Sequence, residues 1–194
     1  GIGTNVMNAA MAGALNNTGV GHQALSAITT GDSNTAFGST ALYNTNVGAE
    51  NVAMGYKALF TNSVGDDNVA IGNVALHTNA SGDNNTAVGS VSGYSVTTAS
   101  GSAFLGYQAG RSVSTGNDNI AIGNSAMYGG TVTGDNNIAI GASAGDALTS
   151  GKENVLIGAD AGGAMTSPNR NTAIGTGAGA AINNSAENTL VGWH

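Results

Sequence analysis

Asn119-Ile120-Ala121-Ile122-Gly123-Asn124-Ser125-Ala126-Met127 returns, with substitutions, from one end of the chain to the other. Its glycine sets the register: Gly3, Gly21, Gly38, Gly55, Gly72, Gly89, Gly106, Gly123, Gly141, Gly158, Gly175 and Gly192 are separated by nine intervals of 17 residues and two of 18. One extra loop residue accounts for each longer interval. An unbroken period leaves no place for a domain boundary, so residues 1–194 read as a single repeat domain. The chain starts and stops within a repeat, and it is read as an excerpt of a longer array.

Numbering the unit from Asn119 puts the glycine at position 5. Position 1 is then Asn17, Asn34, Asn51, Asn68, Asn85, Ser102, Asn119, Asn137, Asn154, Asn171 and Asn188. Asparagine tolerates turn conformations and bonds nearby backbone, so this column is expected to stack as a structural amide ladder at a corner. Positions 2 to 4 form a β-propensity run of Thr, Val or Ile, then mostly Ala, then a large apolar residue. Position 4 (Phe37, Met54, Ile71, Leu105 and their equivalents) has no polar exception, which predicts that it faces the core. Position 3 is then expected on the outer face, its small alanines packed close against another surface. Glycine at position 5 fits a corner that needs positive φ or a close backbone approach.

A second short segment follows. Position 8 is Ala in nine of the ten copies between Ala24 and Ala178, the exception being Ser92. Where position 9 is Leu42, Leu59 or Leu76, position 12 is Thr45, Asn62 or Asn79. Where position 9 is Gly93, Gly110, Gly145, Gly162 or Gly179, position 12 is Val96, Val113, Leu148, Met165 or Ile182. One large group therefore fills one slot per copy, although Leu25 with Ile28 carries two. Gly-Asp and Gly-Asn pairs near position 15 close each copy with turn chemistry.

Two short strands and two turn-rich corners in 17 residues predict an all-β chain: a parallel β-solenoid, or β-roll, of about eleven rungs, stacked about 4.8 Å apart into a rod about 50 Å long. Glycine and asparagine recur too often for helices, and no 3.6-residue periodicity is sustained. With 32 glycines and only 5% aromatic residues, each rung has a thin core. That core and the alanine-lined face predict packing against other copies, with three rods around a common axis, a homotrimer.

Composition narrows the function further. A formal charge of −7 with four basic residues supplies no basic stripe for nucleic acid. There are no cysteines for disulfides or zinc, and no apolar run long enough to span a membrane. His22, His77 and His194 have no second histidine or carboxylate at ligand spacing, and no G-x-S-x-G nucleophile elbow is expected among the serines. No enzyme, cofactor or metal is expected. The Gly65-Asp66-Asp67 and Gly82-Asp83-Asn84 turns have some calcium-loop character, but Ala49, Lys152 and Asn169 occupy equivalent places. A flat threonine array for ice binding is interrupted at position 2 by Val52, Val69, Ile120, Ile138 and Val155.

The motif N-x-A-I-G-x-x-A, present as Asn119 to Ala126 and Asn137 to Ala144, resembles the left-handed parallel β-roll repeats in head domains of trimeric autotransporter adhesins. The longer form Asn51-Val52-Ala53-Met54-Gly55-Tyr56-Lys57-Ala58-Leu59 is similar to repeats in phage tail-fibre proteins and related bacterial surface fibres. The likeness covers the whole chain. It implies a left-handed, trimeric, extracellular or virion-borne fibre, a structural protein that mediates host or surface attachment. The competing expectation is an architectural filament or sheath subunit that binds no receptor.

One surface feature is a candidate for recognition. Position 10 reads Tyr43, Phe60, His77, Tyr94, Arg111 and Tyr128 in six successive rungs, while Ser26, Asp146, Gly163 and Ala180 lack the pattern. Rung stacking would align these side chains into a ladder that either presents rings to a cell-surface glycan or receptor, or packs on itself or at a subunit interface.

Overall fold

The computed structural model describes residues 1–9 and 12–193. Eleven three-residue strands, β1 (Thr18–Val20) through β11 (Thr189–Val191), stack in sequence order into one parallel sheet. Each strand pairs residue for residue with the equivalent strand of the next rung, so Ile71 stands over Val88, Val88 over Leu105 and Leu105 over Ile122. This is the expected β-solenoid.

The two faces of the sheet are the reverse of the expectation. Position 3 is buried from Ala36 through Ala173, whereas position 4 is exposed or half-buried in every rung. Phe37 keeps 56% of its surface open and Leu105 51%. A three-residue strand alternates out, in, out, and the coil is so flat that only alanine generally fits between the sheet and the opposite wall. The large apolar residues at position 4 are therefore on the outside, in a column that runs the length of the rod.

The opposite wall fills the core. Leu25, Leu42, Leu59, Leu76 and Met127 at position 9, and Val96, Val113, Leu148 and Met165 at position 12, are fully buried. The slot exchange expected between positions 9 and 12 is thus a packing exchange. A second exchange joins position 9 to position 3. Phe104 and Leu156 replace the usual inward alanine, and glycine occupies position 9 in the same rung and the one before it. A Cβ on Gly110 would lie 2.6 Å from Cγ of Phe104, and one on Gly162 2.8 Å from the methyl groups of Leu156. Small and large residues alternate across the core to keep its volume constant.

The second segment is not a strand. It bonds from rung to rung, as in Leu59 N–H to Ala75 O at 2.9 Å, but positions 7 and 9 adopt the left-handed conformation. In one rung Val74 has φ 49° and Leu76 φ 46°. Each such residue other than glycine costs about 1 to 2 kcal/mol of backbone strain, which stacking against similar turns offsets. Each rung therefore contributes one strand and a run of turns, in place of the two strands expected.

Polar residues are buried where position 12 is not apolar. Asn79 donates to Asn62 Oδ1 at 2.9 Å, and the two amides reach the carbonyls of Gly82 and Gly65 at 2.9 and 2.7 Å. Thr45, next in this inner column, is fully buried with a hydroxyl that has no partner. Thr45→Val keeps the shape and removes the orphan, so it is expected to raise unfolding free energy by about 1 to 3 kcal/mol. Urea denaturation measures this, and a lower midpoint in the variant would refute the account.

Candidate functional site

The asparagine column is the most ordered polar feature. Asn68 is typical: its backbone N–H and its Nδ2 donate to Asn51 Oδ1 at 3.0 and 3.1 Å, and Nδ2 also donates to Asp66 O at 3.0 Å and Gly82 O at 2.8 Å. Its own Oδ1 accepts the backbone N–H of Asn85 at 3.0 Å. The side chain thereby ties its rung to the previous one and closes its own turn 14 residues on. Ser102, the exception, still accepts the N–H of Asn119 through Oγ at 3.2 Å but has no amide to bond across the turn. Asn34, Asn51, Asn68, Asn85, Asn119, Asn137, Asn154 and Asn171 are fully buried, and Asn17 and Asn188 are half-buried near the ends. Its hydrogen bonds run from rung to rung, which gives the column a structural role.

The position 10 side chains come together as the register requires. Tyr43 and Phe60 stack with centroids 5.2 Å apart, Phe60 and His77 at 5.1 Å, and His77 and Tyr94 at 5.0 Å, their planes within 13° of parallel. The Arg111 guanidinium continues the stack, 5.9 Å from the Tyr94 centroid and 5.2 Å from that of Tyr128. The inner rings are therefore covered on both faces by neighbours, leaving mainly edges and hydroxyls toward solvent.

His77 is the titratable member of the stack. Burial first, and the charge of Lys57 second, push its pKa below the usual 6.5, and its Nδ1 has no partner. The unfolded chain takes up a proton near pH 6.5 before the folded chain does. The contribution of neutral His77 is thus complete above that pH and is lost as pH falls through 6.5 toward the lower folded value. The melting temperature is expected to drop between about pH 8 and about pH 5, with a smaller drop in His77→Phe. An identical pH profile in the two proteins would exclude His77 as the origin. His22 is exposed and unconnected to the stack, and His194 lies outside the described residues.

Charge is segregated around the rung. Nine of the eleven carboxylates stand at positions 16 and 17: Asp32, Glu50, Asp66, Asp67, Asp83, Asp118, Asp135, Glu153 and Glu187. The position 16 side chains accept backbone N–H groups of the preceding rung, Asp66 from Ala49 at 2.8 Å and Asp83 from Asp66 at 2.9 Å. Ser100, Asn117 and Asn169 accept in the same way, at 3.0, 2.9 and 3.0 Å, which explains why the column tolerates non-acidic residues. At position 17, Glu50 stands beside Asp67, and the side-chain contact and the charge of that second carboxylate raise its pKa. Among the described residues no three potential ligands gather to hold a metal ion. Lys152 pairs with Asp135 and Arg170 with Glu187, both at 2.7 Å. The other two cations are elsewhere: Arg111 in the stack, and Lys57 with its ammonium 5.3 Å from the centroids of both Tyr56 and Phe60.

Contrary to the expectation, one pentapeptide, Gly141-Ala142-Ser143-Ala144-Gly145, has the G-x-S-x-G spacing. It follows strand β8 (Ile138–Ile140) into a turn, with Ser143 at φ 53° and no helix behind it. The strand-to-helix elbow is absent, and no histidine lies in that rung. Comparison of the chain with family models, with curated proteins and with solved structures finds no match.

Proposed function

We propose that this chain is a rod segment of an extracellular fibre that attaches a phage tail or a bacterial surface to its target, and that copies pack side by side, three to a fibre. The observation that supports this reading is the outward sheet face. Positions 2 and 4 carry no charge in any rung, and Phe37, Met54, Ile71, Leu105 and Ile174 stand exposed along it. Ten steps of about 4.8 Å make the strip about 48 Å long. Soluble monomers rarely expose contiguous apolar patches larger than a few hundred Å², so the strip favours burial against further copies. The alanine face, expected from the sequence to serve this purpose, is inside the coil and is not available for it. The number three rests on the resemblance to trimeric adhesin heads and fibre repeats.

Light scattering after size exclusion tests the assembly. The chain is expected to elute at three times its 18.8 kDa mass, and Ile71→Asp with Leu105→Asp to shift it toward a single copy without loss of the β-sheet circular-dichroism signal. A well-folded wild-type monomer at micromolar concentration would count decisively against it.

A second reading, an architectural filament without a receptor, is favoured by the stacking of the position 10 rings on one another. Adhesion of the assembled rod to a panel of bacterial cells separates the two. Retention on some cells supports attachment, and retention on none supports the filament.

A further inference from the structure

Lys57 and Arg111 are the two cations that pair with no carboxylate among the described residues. Both lie on the turn that follows the sheet. From Tyr56 to Arg111, four successive rungs have no acidic residue at positions 6 to 10, although the chain as a whole carries −7. This side of the rod is locally basic while the corner at positions 16 and 17 holds most of the negative charge.

The same four rungs carry a second set of aromatic rings, distinct from the stacked column. Tyr56 and Tyr107 both occupy position 6, three rungs and so about 14 Å apart. They are 49% and 51% exposed, and neither stacks on another ring. Each is followed by a long polar side chain, Lys57 or Gln108, and the intervening position 6 residues are Asn73 and Ser90. An accessible ring face beside a hydrogen-bond donor, repeated along a line, suits a chain of sugars: the apolar C–H face of a pyranose lies on the ring, and its hydroxyls meet the amide or ammonium. Two cations in four rungs are too few to neutralise a nucleic-acid backbone, but they suit a ligand with occasional negative charge. Arginine held between two rings and lysine poised over two others have fixed positions to meet it.

We infer that Tyr56, Lys57, Tyr107 and Arg111 form a strip that binds an acidic oligosaccharide, its sugar faces on the two tyrosine rings and its carboxylate or phosphate groups at the two cations. The inference rests on the attachment reading and names the ligand class and the side of the rod that takes it. It also moves recognition away from the stacked column, whose inner rings are covered on both faces, to two half-exposed tyrosines that stack on no other ring.

The test is a printed array of uronate-, sialate- and phosphate-bearing oligosaccharides with neutral oligosaccharides of matched length, probed with the assembled wild-type rod. Acidic oligosaccharides are expected to be retained over neutral ones, less so as salt is raised. Tyr56→Ser with Tyr107→Ser is expected to weaken retention by about tenfold or more. Lys57→Gln should remove most of the preference for acidic over neutral sugars. Melting temperature and oligomeric mass should stay at wild-type values in both variants. Equal retention by the double tyrosine variant, equal retention of neutral sugars by the wild type, or no retention at all would overturn the inference. So would a drop in oligomeric mass in the tyrosine variant, which would place those rings at the rim of the interface between copies. If wild type and tyrosine variant adhere equally to bacterial cells, the inference fails while attachment stands. If neither adheres to any cell, both fail.

Discussion

Gly123→Ala is expected to melt far below the wild-type chain, or to fail to fold. Gly123 has φ 131°, a conformation that side-chain-bearing residues rarely adopt, and an added Cβ would lie 2.5 Å from the carbonyl oxygen of Gly141 and 2.7 Å from its carbonyl carbon. The obstacle is the backbone of the next rung, which cannot move without breaking the ladder bonds on either side. Strain of about 1 to 3 kcal/mol at the residue adds to the displacement of a neighbouring rung. In a stack stabilised by nearest-neighbour contacts, one bad interface uncouples the two halves. Thermal unfolding by circular dichroism should show a large fall in midpoint or a split transition, and a variant within a few degrees of wild type would show that the close approach is relieved locally. The same crowding recurs at position 5 in rung after rung, and the sequence keeps glycine there without exception.

Asn68→Ala is expected to cost about 3 to 5 kcal/mol. The substitution deletes three side-chain donations and the acceptor for the Asn85 N–H, all in a fully buried column. Each group stranded without a partner costs about 1 to 3 kcal/mol, and some relaxation around the smaller side chain keeps the total below the full sum. Asn68→Ser should be milder, because Ser102 shows that a hydroxyl can take over the acceptor role. Chemical denaturation of the three proteins orders them. Equal losses for Ala and Ser would mean that the amide donors carry the whole effect, and no loss for Ala would exclude the column as a source of stability.

The period, the parallel stacking, the asparagine column and the alignment of the position 10 side chains were all legible in the sequence because they depend only on register. A 17-residue repeat superimposes equivalent residues whatever shape the rung has. The direction each residue faces was not legible in the same way. Position 4 lacks polar residues because it forms an apolar outer strip, and a column free of polar residues has the same signature inside and out. A signal that identifies the true core was nevertheless present. Phe104 and Leu156 at position 3 coincide with Gly110 and Gly162 at position 9, and residues that trade volume must share a space. The second segment reads as a strand in the sequence, since alanine and leucine at positions 8 and 9 say nothing of the left-handed φ that Val74 and Leu76 adopt. Tyr56 and Tyr107 are not conspicuous in the sequence because they stand three rungs apart with Asn73 and Ser90 between them, so no run of aromatics marks their column.

A sheet built from one strand per rung has a mechanical consequence. Its interstrand hydrogen bonds run along the rod, so tension applied to the two ends loads the rungs in series rather than shearing a row of bonds together. The terminal rung peels first, and each 17-residue coil that detaches replaces a step of about 4.8 Å by up to about 56 Å of extended chain. A single rod is therefore extensible by stages under pull, and sideways contacts between neighbouring rods are what would turn it into a load-bearing cable.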